Sequence, residues 1–250
     1  MKIIPVIDIL DGIVVHAVRG RRKEYHPLES VLCASTDPVD VARALKRLGF
    51  AEMYVADLDA ITGGGHTNFP VFQRIADETG FELMVDAGIT DLVRAQRVLE
   101  SCVSKVIIGT ETLGSIGFVA EAVEFFGSEK IVVSLDLMGD MVLSKLEFDG
   151  SKEPVVLLRE FQEMGVDQII VLDLARVGSV EGVNLPVLKR MLMDHTVKVL
   201  VGGGVRDIKD LVELKNMGVS GALLATALHS GRITLEELRL AGLLPQNGKP

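Results

Sequence analysis

Five aspartates stand at or just past the ends of short apolar runs: Asp8, Asp57, Asp86, Asp136 and Asp173. An acid in that position is often only a helix cap. Asp8 and Asp136, however, occupy matching places in two related halves of the chain. Opposed carboxylates suit general acid/base work, in which one group removes a proton and the other donates one. A second constellation is rich in glycine. Gly202-Gly203-Gly204 follows one apolar run and Thr226 follows the next, with Gly88, Gly109 and Thr110 at the corresponding places upstream. Glycines let backbone N–H groups approach an anion, so these turns read as phosphate-binding candidates, tight turns being the plainer reading. Asp86, in place of a glycine, would repel a phosphate on the upstream side. A third feature is Arg19-Gly20-Arg21-Arg22-Lys23-Glu24-Tyr25-His26, four basic residues in eight. It reads as a mobile anion clamp or as a solvated charge run. Gly63-Gly64-Gly65-His66 reads as a second flexible lid. His195 and His229 are expected on the surface.

The halves match at a fixed offset of 116 residues. Asp57/Asp173, Asn68/Asn184, Pro70/Pro186, Arg74/Arg190, Val85/Val201, Gly88/Gly204, Asp91/Asp207 and Thr110/Thr226 all obey it, and Asp8/Asp136 stand 128 apart. The 12-residue difference falls in the first loop, between Arg19 and Thr36. A repeat this long is a half-domain and not a solenoid unit.

Eight apolar, β-branched runs (3–8, 53–57, 82–86, 105–109, 131–136, 168–173, 197–201, 221–225) alternate with amphipathic helical stretches. Asp37 and Asp91 precede helices, prolines 38, 70, 154 and 186 sit in first turns, and glycines 49, 80, 127, 165 and 218 follow last turns. The expected fold is α/β, a (β/α)8 barrel built from two half-barrels, about 1–127 and 128–242, with 243–250 as a tail. The first strand carries no GxGxxG, so an open dinucleotide-binding sheet is disfavoured. In a barrel the active site lies at the C-terminal ends of the strands.

Composition narrows the function. A net charge of −9 disfavours nucleic acid as a partner, and two cysteines without CxxC spacing fit a reducing cytoplasm. No apolar run approaches a membrane span. No His/carboxylate spacing calls for a metal, and no cofactor is implied. A phosphorylated small molecule is the expected partner; self-association through the helices stays open.

At Pro5-Val6-Ile7-Asp8, Val55-Ala56-Asp57-Leu58-Asp59, Val106-Ile107-Ile108-Gly109-Thr110, Ser134-Leu135-Asp136, Asp173-Leu174-Ala175-Arg176, Gly202-Gly203-Gly204-Val205 and Gly231-Arg232-Ile233-Thr234-Leu235-Glu236-Glu237, the chain resembles the histidine-biosynthesis (β/α)8 isomerase and cyclase family (HisA/HisF). The resemblance covers about residues 1–240 and leans toward the isomerase, because His16 stands where the cyclase has a lysine. It implies an Amadori aldose–ketose isomerisation of a phosphorylated aminosugar, with Asp8 as base, Asp136 as acid and Ser179 in place of a loop threonine. Arg19, Asp57, Asp173 and Arg176 would contact substrate. Gly88, Gly109, Thr110, Gly203, Gly204 and Thr226 would hold phosphate. The chain departs from the family at Asp86-Ala87-Gly88-Ile89-Thr90 (Gly-Gly-Gly-Ile-Arg in the family), at Arg176-Val177-Gly178-Ser179 (Arg-Asp-Gly-Thr), at Ala225 (glycine) and in having no tryptophan. Those departures point to a divergent relative, with another sugar-phosphate chemistry or a silent phosphate-binding barrel as alternatives.

Overall fold

The computed structural model describes residues 1–63, 67–145, 152–193 and 196–245. Eight parallel strands close on themselves: β1 (Lys2–Leu10), β2 (Glu52–Asp57), β3 (Glu82–Asp86), β4 (Lys105–Gly109), β5 (Ile131–Met138), β6 (Gln168–Asp173), β7 (Lys198–Gly202) and β8 (Gly221–Leu224). Each pairs with the next, and β8 returns to β1 with Lys2 opposite Gly221 and Pro5 opposite Leu224. Every strand sits where the apolar runs place it.

Alternation along the strands sorts their side chains into an inner and an outer set. Ile4, Tyr54, Met84, Ile107, Val132, Ile170, Leu200 and Leu223, one from each strand, form a buried layer that plugs the barrel. The outer set, which includes Ile7, Val55, Val85, Ile108, Val133 and Val201, packs against the helices in a larger core. Two residues beyond each plug residue, the inner face carries Val6, Ala56, Asp86, Gly109, Ser134, Leu172, Gly202 and Ala225. One step further on the longer strands stand Asp8 and Asp136. Asp57, Thr110 and Asp173 have the opposite parity and point away from the barrel axis.

Helices α1 (Pro38–Arg47), α2 (Phe69–Thr79), α3 (Leu92–Leu99), α4 (Gly117–Phe126), α5 (Pro154–Glu163), α6 (Leu185–Met191), α7 (Ile208–Asn216) and α8 (Leu235–Leu240) lie outside the strands. Asp37 accepts hydrogen bonds from the Val39 and Asp40 amides, and Asp91 from Arg94, capping their helices as the sequence predicts. Glycines 49, 80, 127, 165 and 218 all take positive φ at the helix ends. Helix α8 starts at a Thr234/Glu237 capping box. Among the described residues no helix is long and apolar enough to cross a membrane.

The extra residues of the first loop fold back as an antiparallel arm, Ile13–His16 pairing with β1 and with His26–Pro27. A short 3-10 turn at Arg22–Glu24 tips the arm over the barrel mouth. Most of the Gly63–His66 segment, and His195, lie outside the described residues.

Asp57 caps the short helix Leu58–Ile61. Its carboxylate is fully buried and accepts from the Ala60 amide at 3.2 Å, the Asn68 amide at 2.8 Å and Asn68 Nδ2 at 2.9 Å. Truncation would strand three buried donors. Asp57→Ala is therefore expected to cost about 1–3 kcal/mol in urea denaturation, while affinity for inorganic phosphate stays unchanged.

Candidate active site

One cavity opens at the C-terminal ends of the strands. Its wall includes Asp8, Tyr54, Asp86, Gly109, Glu111, Asp136, Gly202, Gly203, Gly204, Ala225 and Thr226, with Gly20, Arg22 and Tyr25 of the arm above them. Strand parity explains the selection, since the three aspartates in the wall occupy inner-face positions.

Their environments differ. Asp136 is 4 % exposed. It accepts from Ser134 Oγ at 2.7 Å and from the Glu111 amide at 3.0 Å, and its own amide donates to Thr110 Oγ1 at 3.0 Å. Burial nevertheless raises its pKa to about 6, because the loss of water outweighs those donors. Asp8 lies partly open to the cavity, and no described residue donates to its carboxylate. Burial alone lifts it to about 7. Asp86 also rises to about 7, through burial first and the neighbouring Asp136 second, despite the Gly88 amide on its Oδ1 at 3.0 Å. Asp86 and Asp136 converge on Gly109: a Cβ there would meet Asp136 Oδ2 at 3.1 Å and Asp86 Oδ2 at 3.3 Å.

The glycine turn after β7 is shaped by crowding. Gly203 and Gly204 have φ of +94° and +84°, and a Cβ would strike the Asp173 carbonyl at 2.4 Å and the Gly182 carbonyl at 2.5 Å. The Gly204 amide, like that of Ala225, donates to no other described residue. Arg206 beside this turn is held by Asp210 at 2.6 Å and does not line the cavity.

Several residues expected at the site stand behind it. Asp173 pairs with Arg176 Nε at 3.1 Å, Arg176 Nη1 donates to the Gly182 carbonyl at 2.9 Å, and the Gly182 amide donates to Gly204 at 2.8 Å. This chain braces the glycine turn from outside. Ser179 donates to the Arg176 carbonyl at 2.8 Å and is absent from the cavity wall, whereas its neighbour Val180 lines it at a φ of +48°. Gly88 packs on the Ile61 backbone, and Thr110 is fully buried against Asp136. Arg19 reaches Glu181 across the mouth, Arg21 pairs with Glu24, and Arg22 pairs with Glu111 at 2.9 Å. Three of the arm's four basic residues are thus committed to glutamates. His229, expected on the surface, is 3 % exposed: its Nδ1 meets Ser30 Oγ at 2.9 Å, and burial lowers its pKa to about 4. Tyr25, Tyr54 and Glu111 were missed as cavity residues; the parity of β2 could have revealed Tyr54.

Burying Asp86 has a thermodynamic consequence. Its pKa is higher in the folded than in the unfolded chain, so its contribution to stability is most favourable below about pH 4 and is lost as pH rises through about 7. Asp86→Asn removes that cost. It is expected to stabilise the fold at pH 8 by on the order of 1 kcal/mol or more, read as a higher thermal midpoint, and to change the midpoint little at pH 4.

Comparison with known proteins agrees with this architecture. The family model described as histidine biosynthesis protein matches residues 2–234. An uncharacterized protein of Methanocaldococcus jannaschii is 38% identical over 241 residues, covering 95% of this chain and 97% of its own. Relatives from Halothermothrix orenii and Moorella thermoacetica are each 32% identical, over 95% of this chain and 98% and 96% of their own. Both are named 1-(5-phosphoribosyl)-5-((5-phosphoribosylamino)methylideneamino) imidazole-4-carboxamide isomerase. The chain belongs to the histidine-biosynthesis protein family.

Proposed function

We propose that the protein is an aldose–ketose isomerase that performs an Amadori rearrangement on a phosphorylated aminosugar. One observation carries the reading: Asp8 and Asp136, both lifted toward neutral pH, share a cavity with Gly204 and Ala225, whose amides donate to no described residue. The isomerases named among its relatives support the reaction class.

The chemistry needs only protons in the right places. A carboxylic acid protonates the ring oxygen, and the nitrogen lone pair expels it from C1, leaving a protonated imine. A carboxylate then removes the C2 proton. The C2–H electrons form the C1–C2 double bond and the imine electrons return to nitrogen. Proton delivery to C1, with loss of the C2 hydroxyl proton, gives the ketone. Substrate and product are isomers, so no oxidant or reductant enters. Asp8 is the base in this scheme and Asp136 the acid. The glycine turn and Thr226 hold the phosphate, braced by Asp173 and Arg176. Tyr25 and Arg22 cover the mouth and limit access of water to the imine.

A second reading rests on Asp86. This third inward acid is not required by the isomerisation, and an enzyme of another sugar-phosphate chemistry would use it directly. Asp86→Gly separates the two, abolishing turnover at saturating substrate only under the second reading.

Isomerisation of aminoaldose mono- and bisphosphates by the purified protein is the direct test. Turnover is expected to fall about 10²–10⁴-fold in Asp8→Asn and in Asp136→Asn. A wild-type rate in either variant overturns the assignment. Phosphate binding without turnover of any aminoaldose phosphate makes the protein a silent binder.

The pH profile tests the carboxylate pair. The base must be ionised and the acid protonated in the free enzyme. With Asp8 at about 7 as base and Asp136 at about 6 as acid, kcat/KM is expected to rise up to about pH 6 and to fall beyond about pH 7. A profile that stays flat through this range overturns the pairing of the two carboxylates.

A further inference from the structure

The two sides of the cavity are chemically opposite, and we infer that the substrate carries its phosphate at the β7–β8 side only and presents a protonated nitrogen to Asp86 at the β3–β4 side. The inference rests on the phosphate cradle of the proposed isomerase and names the other end of its substrate.

Gly88 and Gly204 are sequence mates at the 116-residue offset, and their amides have different fates. The Gly204 amide, in the cavity wall, donates to no described residue, whereas the Gly88 amide is taken by Asp86 Oδ1 at 3.0 Å. On the same side the Thr110 amide goes to the Ser134 carbonyl at 2.9 Å and the Glu111 amide to Asp136 Oδ2 at 3.0 Å. The Gly88, Thr110 and Glu111 amides are thus occupied, two of them by carboxylates. The one cation among the described residues of the wall, Arg22, is already paired with Glu111. A second phosphate would have to approach Asp86 and Asp136 with no free backbone amide or unpaired cation among the described residues of the wall to receive it. Repulsion of that kind, in a site partly shielded from water, is strong.

Two cavity-lining groups on this side have a polar atom with no hydrogen-bond partner among the described residues. Asp86 is 8 % exposed and lines the cavity, and its Oδ2 takes no hydrogen bond from a described residue. Tyr54 is 4 % exposed and lines the cavity beneath the acids, and its hydroxyl likewise meets no described partner. Its burial, with Asp86 and Asp136 nearby, raises its pKa well above the usual phenol value, so the hydroxyl keeps its proton. Both line the cavity, where a bound ligand can reach them. An ammonium supplies what both lack: donors and positive charge for Asp86 Oδ2, and a hydrogen-bond partner beside the phenol. The relatives' named compound contains two phosphoribosyl groups; this wall is built for one phosphate.

The test is calorimetric binding of the full chain to three probe series of increasing length: ω-aminoalkyl phosphates, ω-hydroxyalkyl phosphates and alkane bisphosphates, each in competition with inorganic phosphate. At the best-fitting length the amine is expected to bind at least about tenfold more tightly than the bisphosphate, with the alcohol between. Asp86→Asn should erase the preference for amine over alcohol while leaving affinity for inorganic phosphate and the melting cooperativity intact. Tightest binding by the bisphosphate, or equal binding of amine and alcohol, overturns the inference. If Asp8-dependent isomerisation persists in that case, only this inference falls. An amine preference without any isomerase turnover preserves it and removes the isomerase reading. Failure to bind inorganic phosphate overturns both.

Discussion

The site depends on the ladder between β8 and β1. Only four residue pairs join these strands, from Lys2/Gly221 to Pro5/Leu224, yet they turn an open sheet into a barrel. The join is tight: a Cβ on Gly221 would meet Leu200 at 2.7 Å and Ile4 at 3.4 Å. Closure sets Asp8 beside Ala225 and Thr226, with Asp136 on the far wall of the same cavity. It also removes the sheet edges and lets one plug residue from each strand fill the interior. Without it the strands could still bury apolar surface against helices, but the inward acids would share no cavity.

Above the plug, desolvation governs the chemistry. Asp136 receives donors from Ser134 and Glu111 and still rises to about 6, and Asp8, with none, rises to about 7. A low-polarity floor of Tyr54, Met84, Ile107 and their neighbours thereby converts ordinary aspartates into groups that exchange protons near neutrality. The same residues that stabilise the barrel tune the acids. The opposite wall, where the glycine turn is crowded by the Asp173 and Gly182 carbonyls, has, in place of carboxylates, amides that donate to no described residue. Proton transfer and anion binding therefore occupy different sectors of one mouth.

The sequence by itself determined the strands and helices, because burial repeats with period two along a strand and with about 3.6 along a helix, and because prolines, aspartate caps and glycine stops mark the helix ends. It also carried the Asp8/Asp136 correspondence and the glycine turn. Strand parity in the chain already separates inward Asp86 and Asp136 from outward Asp57 and Asp173, although all four end apolar runs. Tertiary structure alone decided what each group meets. Asp173 and Arg176 brace the glycine turn through Gly182, Ser179 turns back to its own loop, His229 is buried against Ser30, and the basic arm is tied to Glu181 and Glu111. These contacts join residues from separate loops and strands. Local pattern specifies which face a side chain takes, but hydrogen-bond partners and desolvation depend on which distant segments barrel closure brings into reach.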